Sequence, residues 1–325
     1  MDAYFDIFSG ISGNMVLGAL VDLGLDLEKL EVELQKLGLD DEYKIEVNNT
    51  EKEGIGGTYL KVALLDNHCH ESCDHDEHDQ HHHDNEQHDH DHEHDHCHHD
   101  HDHSHHQNSE HKHDYDKDCH TNHTHEHGHQ HNHEDTHHGC DQNSHTHGHS
   151  HGRNLNDIKG IINKSGLSDD IKEKSIAIFT NLARAEAKIH GESIDKIHFH
   201  EVGAVDAIVD IVGSVIGLDL LGVDRVFASR VHTGNGFVKC DHGWMPVPAP
   251  ATMELLQDIP VYSKGIEAEL VTPTGAAIIT TLAEEFGPRP EMEIKKTGYG
   301  AGSRDLSIPN LLRINLGQIG QKKTL

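Results

Sequence analysis

Between residues 67 and 152 the sequence contains no Ala, Val, Ile, Leu, Met, Phe or Trp. A segment with almost nothing apolar to bury cannot offset the entropy lost on ordering its backbone, so it is excluded from any hydrophobic core and is expected to be disordered. The chain as a whole is short of positive charge, with 26 Lys and Arg against 57 Asp and Glu. That balance argues against nucleic acid and anionic membranes as partners, since both call for a cationic field. No run of 18 apolar residues is present, and the start MDAYFDIFSG has neither the basic residues nor the apolar stretch of a secretory leader, so a cytoplasmic protein is expected. Five of the six cysteines lie in the coreless segment without Cys-x-x-Cys spacing, which excludes a disulfide framework there.

What fills that segment is histidine, 33 of the chain's 38, mixed with 21 acidic residues and two lysines. The runs His81-His82-His83 and His88-Asp89-His90-Asp91-His92-Glu93-His94-Asp95-His96 put many imidazoles close together, in the second run at every other residue. Neutral imidazole suits Ni, Cu, Zn and Fe, whereas Mg and Ca prefer oxygen cages. These histidines are therefore expected to bind a divalent transition metal in a flexible reservoir. Composition does not choose among those metals, because affinity at such ligands follows availability and the Irving–Williams order. A folded body remains in two parts, residues 1–66 and 153–325.

The first part opens with the apolar run Tyr4-Phe5-Asp6-Ile7-Phe8, the turn Ser9-Gly10-Ile11-Ser12-Gly13, and a helical apolar pattern through Leu23. Strand, tight turn and helix are predicted. Asp26 is a helix cap with Gly38 as the stop, and strands are predicted at 43–47 and 58–65 with a turn at the glycines 54–57. After the tract, Ser168 caps a helix ending near His190-Gly191, and further helices are expected at 204–221, 251–257 and 274–286. Strands are predicted near 225–231, 269–271, 293–297 and 311–316, and Gly298-Tyr299-Gly300-Ala301-Gly302 reads as a glycine-rich turn. Strands and helices mix without a clean βαβ repeat, so the predicted class is α+β, or irregular α/β, with a mixed sheet and packed helices.

Two places outside the tract carry chemistry. In His198-Phe199-His200-Glu201-Val202-Gly203-Ala204-Val205-Asp206-Ala207-Ile208-Val209-Asp210, the two aspartates are four residues apart and share a helix face, just after two imidazoles and a glutamate. The helix around them is apolar on nearly every side, and a buried carboxylate calls for a cation, a basic partner or a strong hydrogen bond. His198, His200, Glu201, Asp206 and Asp210 are candidate metal ligands, with a polar capping network as the alternative. The second place is the 9–13 turn, where Ser9, Gly10, Ser12 and Gly13 lead into a helix whose free amides favour anions. Thr272-Pro273-Thr274-Gly275 repeats the theme, while a plain strand-to-helix turn explains either one equally well. Asp6 adds weight, since a charge inside an apolar strand is costly without a use.

Together, Asp6-Ile7-Phe8-Ser9-Gly10-Ile11-Ser12-Gly13-Asn14-Met15, the histidine-rich insertion, His198-Phe199-His200-Glu201-Val202-Gly203-Ala204-Val205-Asp206, Met245-Pro246-Val247-Pro248-Ala249-Pro250 and Thr272-Pro273-Thr274-Gly275 resemble the LarC family of nickel insertion proteins of nickel-pincer cofactor synthesis. The resemblance runs over residues 1–66 and 153 to about 316. It implies a nickel chelatase of the lyase class, which places Ni2+ in pyridinium-3,5-bisthiocarboxylic acid mononucleotide to make the cofactor of lactate racemase. That apoenzyme is then the recipient. The resemblance also implies CTP hydrolysis to CMP and diphosphate with Mg2+ or Mn2+. On this reading His198, His200 and Glu201 serve as base and nickel-delivery site, with Asp206 and Asp210 as ligands or orienters. A phosphate sits at the turn holding Ser9, Gly10, Ser12 and Gly13, or at that holding Thr272, Thr274 and Gly275. Longer family members continue into a C-terminal nucleotide-binding part, whereas this sequence stops at Thr324-Leu325, so CTP binding and turnover are not claimed for these 325 residues alone. Self-association, a histidine-rich nickel storage or delivery role and a metal-dependent hydrolase stay open as alternatives.

Overall fold

The computed structural model describes residues 1–65, 153–197, 199, 204–240 and 243–320. His81, His82, His83, His88, His90, His92, His94 and His96, and the disorder expected for 67–152, lie outside them. Chain from before and after the tract contributes to one seven-stranded mixed sheet. Inside it, fifth of the seven, is β1 (Asp2–Asp6), four of whose five residues are buried. A strand covered on both faces reads as an apolar run rather than an alternation, as this one does. It pairs antiparallel with β11 (Leu311–Ile319) and parallel with β4 (Arg225–Ala228). Beyond β11 come β10 (Met292–Ala301), β3 (Ile55–Leu64) and β2 (Tyr43–Lys52), and beyond β4 lies β9 (Ala283–Phe286).

The helices are α1 (Gly13–Asp22), α2 (Leu27–Gln35), α3 (Leu155–Lys164), α4 (Asp169–His190), α5 (Val205–Leu220), α6 (Pro250–Leu255) and α7 (Pro273–Leu282). Capping sets several boundaries. Asp26 accepts from the Lys29 N–H, Ser168 accepts from the Ile171 N–H, and Gly191 ends α4 in the left-handed region at φ 65°. α1 packs on β10, β3, β11 and α5, so α5 is enclosed by α1, α2, α4 and α7. Its residues Ile208, Val209, Ile211, Val212 and Ile216 are fully buried, which accounts for apolar residues on nearly every side of this helix. None of the described helices is long and apolar enough to cross a membrane.

The structure departs from the sequence expectations in several places. The helix expected over 274–286 ends at Leu282, because residues 283–286 pair with β4 as the edge strand β9. α3 was not foreseen; Asn154 and Asp157 form a capping box that starts it directly after the tract. The 53–57 stretch turns at Glu53 and Gly54, both at positive φ, and Gly56 and Gly57 already belong to β3. Residues 269–271 form isolated bridges to Gly234 and Ile11 instead of a strand. Gly298 and Gly300 lie inside β10 and not in a turn: a Cβ on Gly300 would stand 1.8 Å from the Met15 carbonyl oxygen, so α1 rests directly on the strand backbone.

Candidate active site

Asp206 and Asp210 occupy the first and second turns of α5, and Asp210 meets the start of α1. The Asn14 N–H, one of the unpaired donors at a helix start, donates to the Asp210 carboxylate. The contact is close enough to require glycine at position 13, where a Cβ would lie 2.4 Å from Asp210 Oδ2. The Oδ1 atoms of Asp206 and Asp210 are shut off from water and have no hydrogen-bond partner among the described residues. Burial, and then the charge of Asp206, push the Asp210 carboxyl up to about 8, against the lowering effect of the Asn14 N–H. Two buried carboxylate oxygens without donors are an unmet demand for a proton or a cation.

The turn between β1 and α1 packs on the turn before α7. Ile11 N–H donates to Leu270 O at 2.9 Å, and Thr272 N–H donates to Ile11 O at 3.1 Å. Gly10 is at φ 86° with the Leu270 carbonyl where a Cβ would go, and a Cβ on Gly275 would stand 2.3 Å from Ile11 O. The Thr272 hydroxyl caps α7 by accepting from Gly275 N–H at 3.1 Å. Ser12 Oγ donates to Asn14 Oδ1 at 2.6 Å, Thr274 is half-buried, and the fully buried Ser9 hydroxyl has no partner among the described residues. These glycines therefore make room for protein atoms. The Ile11, Asn14, Thr272 and Gly275 amides are already engaged.

At the other end of the same turn, strand register assembles a second cluster. β1 pairs Asp6 with Arg313 of β11, and β11 pairs Arg313 with Tyr299 of β10. Asp6 Oδ2 accepts from Arg313 Nε at 3.2 Å and from Nη2, and the guanidinium lies 5.7 Å from the centre of the Phe8 ring. Asp6 is thus neutralised by its cross-strand neighbour. Beside it, β5 (Val231–His232) and β8 (Val261–Tyr262) pair in parallel, with His232 in register with Tyr262. Their rings stack at 4.6 Å and 3°. The Lys264 N–H donates to His232 Nε2 at 3.1 Å, so Nδ1 carries the hydrogen and donates to Phe8 O at 2.8 Å. Burial, with help from the charge of Lys264, pushes the His232 imidazole below its ordinary value, which keeps it neutral. Arg230 lies 4.5 Å and Lys264 Nζ 5.7 Å from the centre of the Tyr262 ring.

His198, His200 and Glu201 lie outside the described residues. Phe199 between them is described; its ring is buried and meets Phe179 of α4 at 6.4 Å. Among the described residues no group of three or more His, Cys, Asp or Glu side chains is gathered for a metal. Sequence reasoning missed Asn14, Arg230, His232, Tyr262, Lys264, Tyr299 and Arg313. Their one available signal was weak: arginine and lysine two residues from a histidine and a tyrosine, which would share a strand face.

The sequence matches the nickel insertion protein family over residues 3–324. Among curated relatives, the pyridinium-3,5-bisthiocarboxylic acid mononucleotide nickel insertion protein of Desulfitobacterium hafniense strain DSM 10664 / DCB-2 is 42% identical over 320 residues, covering 98% of this chain and 59% of the relative. The protein of that name from Clostridium acetobutylicum is 46% identical over 315 residues, covering 97% and 63%. That from Acetivibrio thermocellus is 38% identical over 324 residues, covering 99% and 61%. The chain thus spans about three fifths of the length of these relatives. No solved structure matches it.

Proposed function

Since the chain belongs to the nickel insertion protein family, we propose that it inserts nickel into pyridinium-3,5-bisthiocarboxylic acid mononucleotide. The observation that carries this reading is the Asp206–Asp210 pair, two donor-starved carboxylates directly after the His198/His200/Glu201 segment. Joining nickel to a ring carbon expels the proton on that carbon, so a base and a metal-delivery site must act together. We assign both to His198, His200 and Glu201, with Asp206 and Asp210 as oxygen ligands or as groups that orient the imidazoles. Mg2+ or Mn2+ also fits carboxylate oxygens, and CTP hydrolysis to CMP and diphosphate completes the proposal. The product would pass to a lactate racemase apoenzyme. With the Ile11, Thr272 and Gly275 N–H groups engaged within the protein, we assign the turns carrying Ser9, Gly10, Ser12 and Gly13 and Thr272, Thr274 and Gly275 to shaping the site, with Asp6 as the counter-ion of Arg313.

Incubation of the chain with the mononucleotide, Ni2+, CTP and Mg2+ or Mn2+ tests this, with mass and absorbance as readouts. A second arm adds the remaining part of a full-length relative. Product in either arm, lost in His200→Ala and Glu201→Ala while nickel bound by the tract stays the same, is expected. Absence of product in both arms would remove the proposal. Product unaffected by either substitution would remove the site assignment.

A further inference from the structure

The stack built on His232 has an end that the protein does not use. His232 is held through both ring nitrogens, by Phe8 O and the Lys264 N–H, and only 1% of its surface is exposed. Tyr262 lies flat on it and Arg230 is stacked in turn against the Tyr262 ring, with Lys264 also beside the ring. Register produces this arrangement: β5 and β8 align His232 with Tyr262, and Arg230 just before β5 and Lys264 just after β8 bring their charges beside the Tyr262 ring. Some of the other described cations meet carboxylates, as Arg313 meets Asp6 and Lys188 meets Glu254, and others meet neutral oxygens, as Arg184 meets Asn181 Oδ1 and Lys296 meets Leu23 O. Arg230 and Lys264 are exposed and have no carboxylate partner among the described residues. In a chain of net charge −31, what sets Arg230 and Lys264 apart is that both charges lie beside one aromatic ring that is itself stacked on an anchored histidine.

We infer that Arg230 and Lys264 form a subsite for a phosphate monoester, and that it takes the phosphate of a pyridine mononucleotide. Charge selects this ligand class: two unpaired cations match a dianion, whereas a carboxylate would leave one uncompensated. Stacking supplies the preorganisation, because a guanidinium already fixed over a ring loses little freedom when its N–H groups grip phosphate oxygens. The location agrees with the chemistry. The site lies beyond the carboxyl ends of the parallel strands β1 and β4, where open α/β sheets bind ligands. It is joined to Asp210 by one short turn, since Phe8 O touches His232 and Tyr262 while the Asn14 N–H reaches Asp210. The inference rests on the proposed substrate for its ligand, but binding is measurable without nickel.

Calorimetric titration of the chelator-treated full chain with nicotinate mononucleotide, CTP and inorganic phosphate tests it. The mononucleotide should bind more tightly than either of the others. Arg230→Ala and Lys264→Ala should each weaken it by about tenfold to a hundredfold, as expected for a lost charge-assisted contact. Arg230→Lys, which keeps the charge and loses the planar stack, should fall between. Lys174→Ala, on the distant α4 surface, should bind as the unaltered chain does. Melting curves check that the exposed substitutions leave the fold intact. Equal binding by the Arg230→Ala/Lys264→Ala double variant and the unaltered chain would overturn the site. Absence of binding by all three probes would overturn it as well, and tighter binding of CTP than of the mononucleotide would overturn the ligand assignment. None of these outcomes depends on whether nickel is inserted.

Discussion

Replacing Asp210 with Asn should stabilise the metal-free protein at neutral pH and flatten its pH dependence. In the folded chain this carboxyl is pushed up from 3.8 to about 8 by burial and by the charge of Asp206. The unfolded chain releases that proton near the ordinary value. A folded-state value above the unfolded one favours folding below the unfolded titration, and that contribution is lost as pH rises through the folded one. The window therefore runs from about pH 4 to about pH 8. Each unit in it is worth about 1.4 kcal/mol, and partial relaxation of the pair reduces the total, so about 2 kcal/mol at pH 7 is expected. For a domain of this size that corresponds to a rise of about 4–8 °C in melting temperature. An asparagine keeps an acceptor for the Asn14 N–H and offers a donor toward Asp206, which removes the repulsion without leaving a group unpaired. The assay is a set of melts from pH 4 to 8 in chelator, where the two proteins should converge at the acid end and diverge toward neutrality. A second series adds Mg2+ or Mn2+, which should raise the unaltered chain more than Asp210→Asn. Parallel pH profiles would refute the buried, proton-holding pair; equal metal response would refute its use as a ligand.

Four further outcomes follow from the same geometry. Gly13→Ala forces a methyl group into Asp210 and should cost about 1–3 kcal/mol, read as a lower denaturant midpoint, with Gly18→Ala as a second helix-packing comparison at Thr58. Phe199→Ala empties the contact with Phe179 and should cost about 3–5 kcal/mol; a loss below about 1 kcal/mol would mean that Phe199 does not anchor this segment. Breaking the half-buried Asp6–Arg313 pair from either side should destabilise, and a double-mutant cycle should return a coupling of about 1 kcal/mol or more. Deleting residues 67–152 should raise the nickel concentration needed for product without lowering product at saturating nickel, whereas a storage protein would lose bound metal and function together.

Much of the fold was legible because helix signals are local. Ser168 and Gly191 delimit α4, Asp26 starts α2, and the apolar run into the Ser9–Gly13 residues predicts β1 and α1. α3 carried a local signal as well, the Asn154/Asp157 box, but it is hidden by its place at the edge of the histidine tract. The glycines of β10 misled for a tertiary reason. Gly298 and Gly300 look like turn residues until α1 is seen pressing on the strand at both positions. The candidate site divides in the same way. Asp206 and Asp210 could be chosen from four-residue spacing in an apolar helix, whereas nothing in the sequence says that Asn14 reaches Asp210 or that Gly13 exists to admit it.

By itself the sequence determined that a histidine-loaded segment holds almost nothing apolar, that the remainder mixes strands and helices, and that two carboxylates lie on one face of a helix with an apolar circumference. Composition and short-range periodicity suffice for these, because each depends on residues within a few positions of one another. Tertiary structure alone decided which distant groups meet. Asp6 and Arg313 are partners because β1 and β11 pair in one register, and a slip of one residue would send every side chain on the strand to the other face. Arg230, His232, Tyr262 and Lys264 come together because β5 and β8, some thirty residues apart, align His232 with Tyr262. Register is fixed by packing across the whole sheet, and no local pattern encodes it.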